Sequence, residues 1–231
     1  MNVHSHIAVQ EPDTSTSRRD AIIQAAMEVF AENGYKGSAI PPIAERAGVA
    51  VGTIYRHFAD KQALVNEVFR VTKRELQITL AQGFDATRPA RVLFDDFWAR
   101  LTGFARQSPL AFQFMEMQDH LPYLDETSKR VEVEILSPIV DMLLTQRDTG
   151  LITTPMHTAP LIAMIWGAVV GMFKYERVGY YKLTDEDLHA ARDALWSALT
   201  HSAPDTVTAG LLPAAHTAMT TPGASHVYAP T

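Results

Sequence analysis

Between Ile40 and Lys61 the chain reads IPPIAERAGVAVGTIYRHFADK, and few folds accept such a stretch. Ala44 is small enough to let two helices cross closely. Gly48 falls where a tight turn requires positive φ, which glycine adopts without steric cost. Val49 follows as the residue that closes a small core. Val51-Gly52-Thr53-Ile54-Tyr55-Arg56-His57 then reads as a second short helix, ended by Phe58. Two short helices about a glycine turn make a helix-turn-helix, whose second helix lies in the major groove of DNA while the first crosses the backbone.

The rest of the chain reads as helix, without repeats or convincing strands. Residues 1–16 are polar and unpatterned, and are expected to be disordered. Ser17-Arg18-Arg19-Asp20 has the form of a capping box. Ile22, Ile23, Ala26, Val29 and Phe30 then recur at helical spacing up to an Asn33-Gly34 stop. Asp60 reads as the N-cap of a helix to about Gln82, and a further helix spans about Arg88 to Gln107. Ser108-Pro109 opens one to about Asp119. Another runs from Asp125 to Asp148, with Pro138 expected to kink or break it. Thr158-Ala159-Pro160 opens an apolar helix to about Arg177, and Thr184-x-x-Asp187 is a second capping box leading a helix to about His201. From Ser202 the chain is rich in Ala, Thr and Pro, which predicts a disordered tail over 202–231.

At 231 residues the chain can bury a substantial core. It has no cysteine, which removes disulfides, thiol nucleophiles and zinc fingers, and fits a reducing cytoplasm. No signal peptide is read at the N-terminus. The most apolar stretch, Ala159 to Phe173, reads as too short to span a bilayer, so no membrane partner is expected. A net charge of −6 argues against a non-specific nucleic-acid binder. From Arg18 to Lys61 six basic side chains face five acidic ones, so DNA affinity must come from a few placed contacts, doubled by dimerisation. The histidines fall at no metal-ligand spacing, His4 and His6 lie in the polar start, and no metal or cofactor is expected.

The segment closely resembles the DNA-binding domain of TetR-family transcriptional regulators. The matching residues are Phe30-Ala31-Glu32-Asn33-Gly34-Tyr35, Ile43-Ala44, Ala47-Gly48-Val49, Thr53-Ile54-Tyr55-Arg56-His57-Phe58 and Lys61 with Leu64. The likeness is detailed over about residues 17–70 and extends beyond only as an all-helical pattern of suitable length. It implies an all-α chain of about nine helices. A three-helix helix-turn-helix domain would occupy 17–62, and a helical ligand-binding and dimerisation domain 63–201.

In that family the residues aligned with Val51, Gly52 and Tyr55 meet bases or the groove wall, and those aligned with Thr53, Tyr55 and His57 reach phosphates. The chemistry agrees. Val51 offers methyl groups to a thymine methyl, and Gly52 lets the backbone approach the groove floor. The hydroxyls of Thr53 and Tyr55 can donate to phosphate oxygens, which positions the helix without reading sequence. Lys61 sits at the next helix start, a suitable place for a phosphate. Arg56 is a candidate for a guanine or a phosphate. Relatives usually carry Thr or Ser at the start of the first motif helix and a charged pair before Ile-Ala. Here Ala39-Ile40-Pro41-Pro42 stand there, so a hydroxyl cap and two N–H groups are missing. Ser38 is expected to substitute in part, and Ser38 and Ile40 complete the expected DNA-contacting set. Weaker phosphate anchoring is expected at this point.

By the same resemblance the later helices hold a cavity and a dimer interface. The concentration of aromatic and methionine residues between Leu93 and Met117 suits an adaptable apolar pocket. Phe97, Trp98, Leu101, Gln113, Met117, His120, Trp166 and Phe173 are the expected lining, and Arg100 and Gln118 are further polar candidates. Gly167 and Gly171, four residues apart, with Leu188, Leu195, Trp196 and Leu199, are the expected dimer face. The partners implied are double-stranded DNA at a palindromic operator, a small effector and a second copy of the chain. The competing reading is a nucleoid-associated protein of the same fold without small-molecule input. Phosphate loop, nucleophile elbow and metal motif are all absent from the sequence, so no catalytic residue is expected and the chain is not read as an enzyme.

Overall fold

The computed structural model describes residues 14–200 apart from Met117, Gln118 and Leu121. Among the described residues there are nine α-helices and no strand. They are α1 (Thr14–Gly37), α2 (Ile40–Arg46), α3 (Val51–His57), α4 (Lys61–Ala81), α5 (Ala90–Gln107), α6 (Pro109–Glu116), α7 (Glu126–Asp148), α8 (Thr158–Arg177) and α9 (Asp185–Thr200). The expected disordered ends lie outside the described residues, except that 14–16 belong to α1. Helix α1 therefore starts ahead of Ser17, which is helix interior and not a cap. It breaks its geometry at Gly34, with φ 70 and ψ 167, where the Asn33-Gly34 stop was expected.

Other boundaries follow local chemistry. The Asp60 carboxylate accepts from the Ala63 N–H at 2.7 Å and opens α4. Asp125 does the same for α7 through Ser128 N–H. Ahead of α9, Thr184 Oγ1 accepts from Asp187 N–H while the Asp187 carboxylate accepts from Thr184 N–H, a reciprocal box that satisfies two end donors. Pro138 does not break α7, which runs on to Asp148. Helix α6 ends at Glu116, short of the expected Asp119.

Helix α8 corrects another expectation. The apolar stretch lies in a helix of 20 residues, which by length and composition alone suffices to cross a bilayer, with 22% of its apolar window buried. Leu161, Ile165, Val169 and Phe173, spaced by four, form its inward face. Ala163 and Gly167 are exposed, while Ile162, Met164, Trp166, Ala168, Val170 and Met172 are half-buried against the core.

The first three helices join the remainder through α4 and α6. Phe30 of α1 stacks on Phe114 of α6 at 6.3 Å between ring centroids, and Gln113 Nε2 donates to the Ala31 carbonyl at 2.6 Å. The loop after α6 completes the joint. Tyr123 stacks on Tyr35 at 4.2 Å, and its phenol donates to His120 Nδ1 at 2.6 Å. His120 Nε2 bonds the Phe114 carbonyl, which fixes the neutral tautomer with the proton on Nε2. Its ring lies edge-on between Phe69 and Phe114. Burial pushes the Tyr123 phenol up to about 12, with Asp119 and Tyr35 adding to the effect, so it remains a donor.

Lys73 is the buried cation of the interior, 3% exposed. Its ammonium bonds Glu116 of α6 at 2.8 Å and Glu132 of α7 at 3.2 Å, and Trp166 Nε1 donates to the second Glu116 oxygen at 2.5 Å. Burial disfavours the charged amine, but the two carboxylates outweigh it and hold Lys73 above its ordinary value. Four helices thus meet at one ion cluster. Replacing Glu116 by Leu leaves the Trp166 N–H unpartnered and Lys73 with one carboxylate, and is expected to cost about 3 kcal/mol, read as a lower urea midpoint.

Burial also lowers the pKa of His120. The Phe114 carbonyl, Glu116 and Asp119 oppose the shift and Lys73 adds to it. The depressed folded value means that stability is complete above the ordinary histidine range and is lost as pH falls through the folded value. Thermal midpoints measured at pH 8 and pH 5 should therefore diverge more for the native chain than for His120→Gln.

Candidate nucleic-acid interface and regulatory cavities

Helix α3 divides cleanly between core and surface. Ile54, 1% exposed, and the following Phe58 turn inward, while Val51, Gly52, Tyr55 and Arg56 lie together on the outside. Tyr55 is 51% exposed. Thr53 and His57 are half-buried at the flanks. Gly48, at φ 66, makes the turn before it, and Val49 N–H returns to the Ala44 carbonyl at 2.9 Å. Gly52 has no such conformational reason to be glycine. A Cβ built there meets nothing within 4 Å. The space over Gly52 is left open on the outward face, as a helix that must sit close to another surface requires.

Helix α2 is held to α1 by Arg46, whose two terminal nitrogens each bond Glu32 at 2.9 Å. Ala39 stands at its N-cap with no side-chain bond, and Pro41 and Pro42 occupy its exposed first turn. The expectation for Ser38 is corrected here. Its hydroxyl is buried and donates within α1, with the Gly34 carbonyl at 2.7 Å and the Val29 carbonyl at 3.2 Å, so it neither caps α2 nor faces outward. Ile40 is likewise corrected, because its side chain is core at 6% exposure. Lys61 donates to the Ser38 carbonyl at 2.7 Å and lies 4.3 Å from the Tyr35 ring centroid. An ammonium has three donors, and this one is anchored beside the start of α2, where the prolines removed two. Arg19, one of two arginines ahead of the motif, pairs with Glu67 at 2.6 Å.

The expected effector-binding residues do not converge on one cavity. Trp98 and Leu101 are buried in the core between helices. His120 has both ring nitrogens bonded in the joint described above, which leaves it no atom for a ligand. Gln113 and Phe173 line an open groove of about 600 Å³ beside α6 and the segment before α9. Trp166 lines another of about 710 Å³ between α7 and α8. Met117 and Gln118 lie outside the described residues. Phe97 and Arg100 both reach the most apolar of these cavities, of about 170 Å³, between α4, α5 and α7. Leu80, Phe84, Leu93, Ile135, Ile139 and Met142 complete its apolar wall, with Gln77 and Arg100 as polar groups. The α7 contribution was missed, although Ile135, Ile139 and Met142 fall at helical spacing.

The expected dimer face is corrected in part. Leu188 and Leu199 are buried against this chain's own core. Trp196 packs on Phe94 at 5.4 Å with the Arg91 guanidinium 5.5 Å from its ring centroid, and Leu195 is half-buried. These residues form the inward face of α9. Gly167 is exposed and Gly171 half-buried, and a Cβ on either meets nothing within 4 Å.

Residues 22–68 match the family model described as bacterial regulatory proteins, tetR family, and residues 69–201 match the tetracyclin repressor-like C-terminal domain. Among curated proteins, the transcriptional repressor BepR of Brucella suis is 28% identical over 75% of this chain and 87% of its own length. The repressor DhaR of a Mycobacterium species is 26% identical over 70% and 85%. The repressor KstR2 of Mycolicibacterium smegmatis is 39% identical, but the match spans 28% of this chain and 31% of that protein. A TetR-family regulator of Marinobacter aquaeolei superimposes with a TM-score of 0.73 at 19% identity, covering 82% of this chain and 98% of the other. One from Vibrio parahaemolyticus gives 0.67 at 24%, covering 80% and 100%, and both attest the fold. With a helix-turn-helix at one end and a repressor-like helical domain over more than half its length, the chain belongs to the TetR family of bacterial transcriptional regulators.

Proposed function

We propose that this regulator is a homodimeric repressor, released from a palindromic operator by a small, largely apolar effector. The outward face of α3 carries the reading. Its four exposed residues include a glycine that the fold does not require, and a recognition helix needs such a gap for close approach to the groove floor. Val51, Gly52 and Tyr55 meet the groove, and Thr53, Tyr55 and His57 position the helix on phosphates. Arg56 reaches a base or a phosphate, and Lys61 supplies charge beside α2. The work is divided between residues 17–62 for DNA and 63–201 for regulation, and takes place in the cytoplasm.

Two observations support the dimer and the effector. Helix α8 is apolar with 22% of its apolar window fully buried, and its small residues Ala163, Gly167 and Gly171, exposed or half-buried, permit close approach by a second copy. The outward face of α9 is similarly small, with Ala190, Ala194 and Ala198. A two-fold pair would present its recognition helices to half-sites about 34 Å apart. The enclosed cavity of α4, α5 and α7 is the effector site, because it is apolar and one of its walls is the helix that begins beside the reading head. The names of BepR and DhaR as repressors agree with the direction of control.

Gly52→Ala separates folding from reading. The substitution is expected to leave the thermal midpoint unchanged or slightly raised, since alanine favours a helix by about 1 kcal/mol. Operator affinity, read by fluorescence anisotropy, is expected to fall roughly tenfold or more, about 1.4 kcal/mol. Tyr55→Phe and Thr53→Ala should each weaken binding by about 1 kcal/mol with unchanged sequence preference, as lost phosphate hydrogen bonds do. Genomic fragments captured by the purified protein should contain a small set of palindromes. Many scattered sites would instead support the nucleoid-associated reading.

A further inference from the structure

The geometry points to a small carboxylate with a compact apolar body as the ligand of the α4–α5–α7 cavity, its head group held by Arg100. The inference rests on the effector-released reading above and names the chemistry of that site. The cavity holds about 170 Å³, close to the roughly 150 Å³ apolar cavity that accepts benzene. A single ring or a branched aliphatic group fits, and an extended chain does not. Leu80, Phe97, Ile135, Ile139 and Met142 offer such a body no hydrogen-bond partner in their side chains.

Arg100 is the charged group on this wall, and its own contacts leave it under-used. Nη1 donates to the Leu80 carbonyl at 3.2 Å, and Nη2 faces Asp96 Oδ2 at 3.4 Å. That same carboxylate oxygen is ion-paired with Arg88, so one negative charge is divided between two guanidiniums. Asp85, the other carboxylate near Arg88, is turned to the Thr87 N–H and hydroxyl. A guanidinium carries five donors in a planar fork matched to a carboxylate. Arg88 is taken up by Asp96 and by the charge of Asp85, neither of which lines the cavity, and the guanidinium that does line it, Arg100, attracts an anion and repels an amine. Gln77 stands on the same wall as a second polar group.

Ligation also reaches the reading end. The Leu80 carbonyl belongs to the last turn of α4, and a carboxylate that draws Arg100 toward the cavity loosens its bond to that turn. The residues that hold the ligand are thus the ones that hold the far end of the helix running to the DNA-binding part.

Three probes of similar shape test the head group: benzoate, toluene and benzylamine. Each is titrated into the full-length native protein by calorimetry, and operator release is measured separately by anisotropy on a captured palindromic fragment. Benzoate is expected to bind at least roughly tenfold more tightly than toluene, the worth of a charge-assisted hydrogen bond, and benzylamine more weakly than either. Arg100→Met should abolish the preference for benzoate over toluene while toluene still binds, which also shows that the variant is folded. Phe97→Trp, which enlarges a side chain that lines the cavity, should abolish binding of both. Equal binding of benzoate and toluene, or a preference that survives Arg100→Met, overturns the proposal. If the palindrome is bound but no probe enters the protein, the ligand assignment falls and the regulator reading stands. If no palindrome is bound at all, the regulator reading itself falls.

Discussion

On the side-chain amide of Asn66 depends the seating of the loop between α6 and α7, and on that loop depends how the two halves of the chain meet. Asn66 is 1% exposed. Its nitrogen donates to the Tyr123 carbonyl at 2.9 Å and its oxygen accepts from the Asp125 N–H at 2.8 Å, while the nitrogen also meets the Gln62 carbonyl within α4. A buried amide left half-satisfied costs about 1–3 kcal/mol, so the loop cannot drift from α4 without that penalty. The clamp places Tyr123 against Tyr35 and His120, and sets Asp125 to cap α7 and receive Arg70 at 3.0 Å. Glu67 then links Arg70 to Arg19 on α1. One uncharged side chain fixes the register of a stacked ring pair, a helix cap and an ion-pair chain.

The electrostatics of the two ends differ in kind. On the reading face the charges are few and exposed, so salt will screen them and affinity will rest on fit. Inside the regulatory part the charges are buried and mutually satisfied around Lys73, where breaking a pair is costly and moving it as a unit is cheap. This cluster ties α4, α6, α7 and α8 into one body.

Local chemistry made much of the fold legible in the sequence. The Asp60 cap, the Thr184 box, the Gly48 turn and the full extent of α8 are written in residues whose effects reach only a few positions along the chain. The recognition helix was legible for the same reason, since its inward Ile54 and Phe58 alternate with outward Val51, Gly52 and Tyr55 at helical spacing. What could not be read was where an apolar face finds its partner. Leu188 and Leu199 are spaced as well for another copy of the chain as for this one, and only tertiary packing shows that α5 and its neighbours take them. Ser38 misled because a hydroxyl before a helix resembles a cap, whereas the kink at Gly34 turns it back onto α1. Trp98 and His120 misled in a similar way, since Trp98 is buried in the core and His120 has both ring nitrogens bonded within the frame.

The position of the Asn66 clamp along α4 has a mechanical consequence. With a rise of 1.5 Å per residue, the clamp lies about 7 Å from Lys61 at the reading end and about 21 Å from Leu80 at the cavity end. A helix tilting about that point is geared down roughly threefold, so a swing of about 3 Å beside the cavity arrives as about 1 Å at the motif. An ångström is still enough to matter there, because hydrogen bonds to phosphate hold only over a few tenths of an ångström about their preferred length.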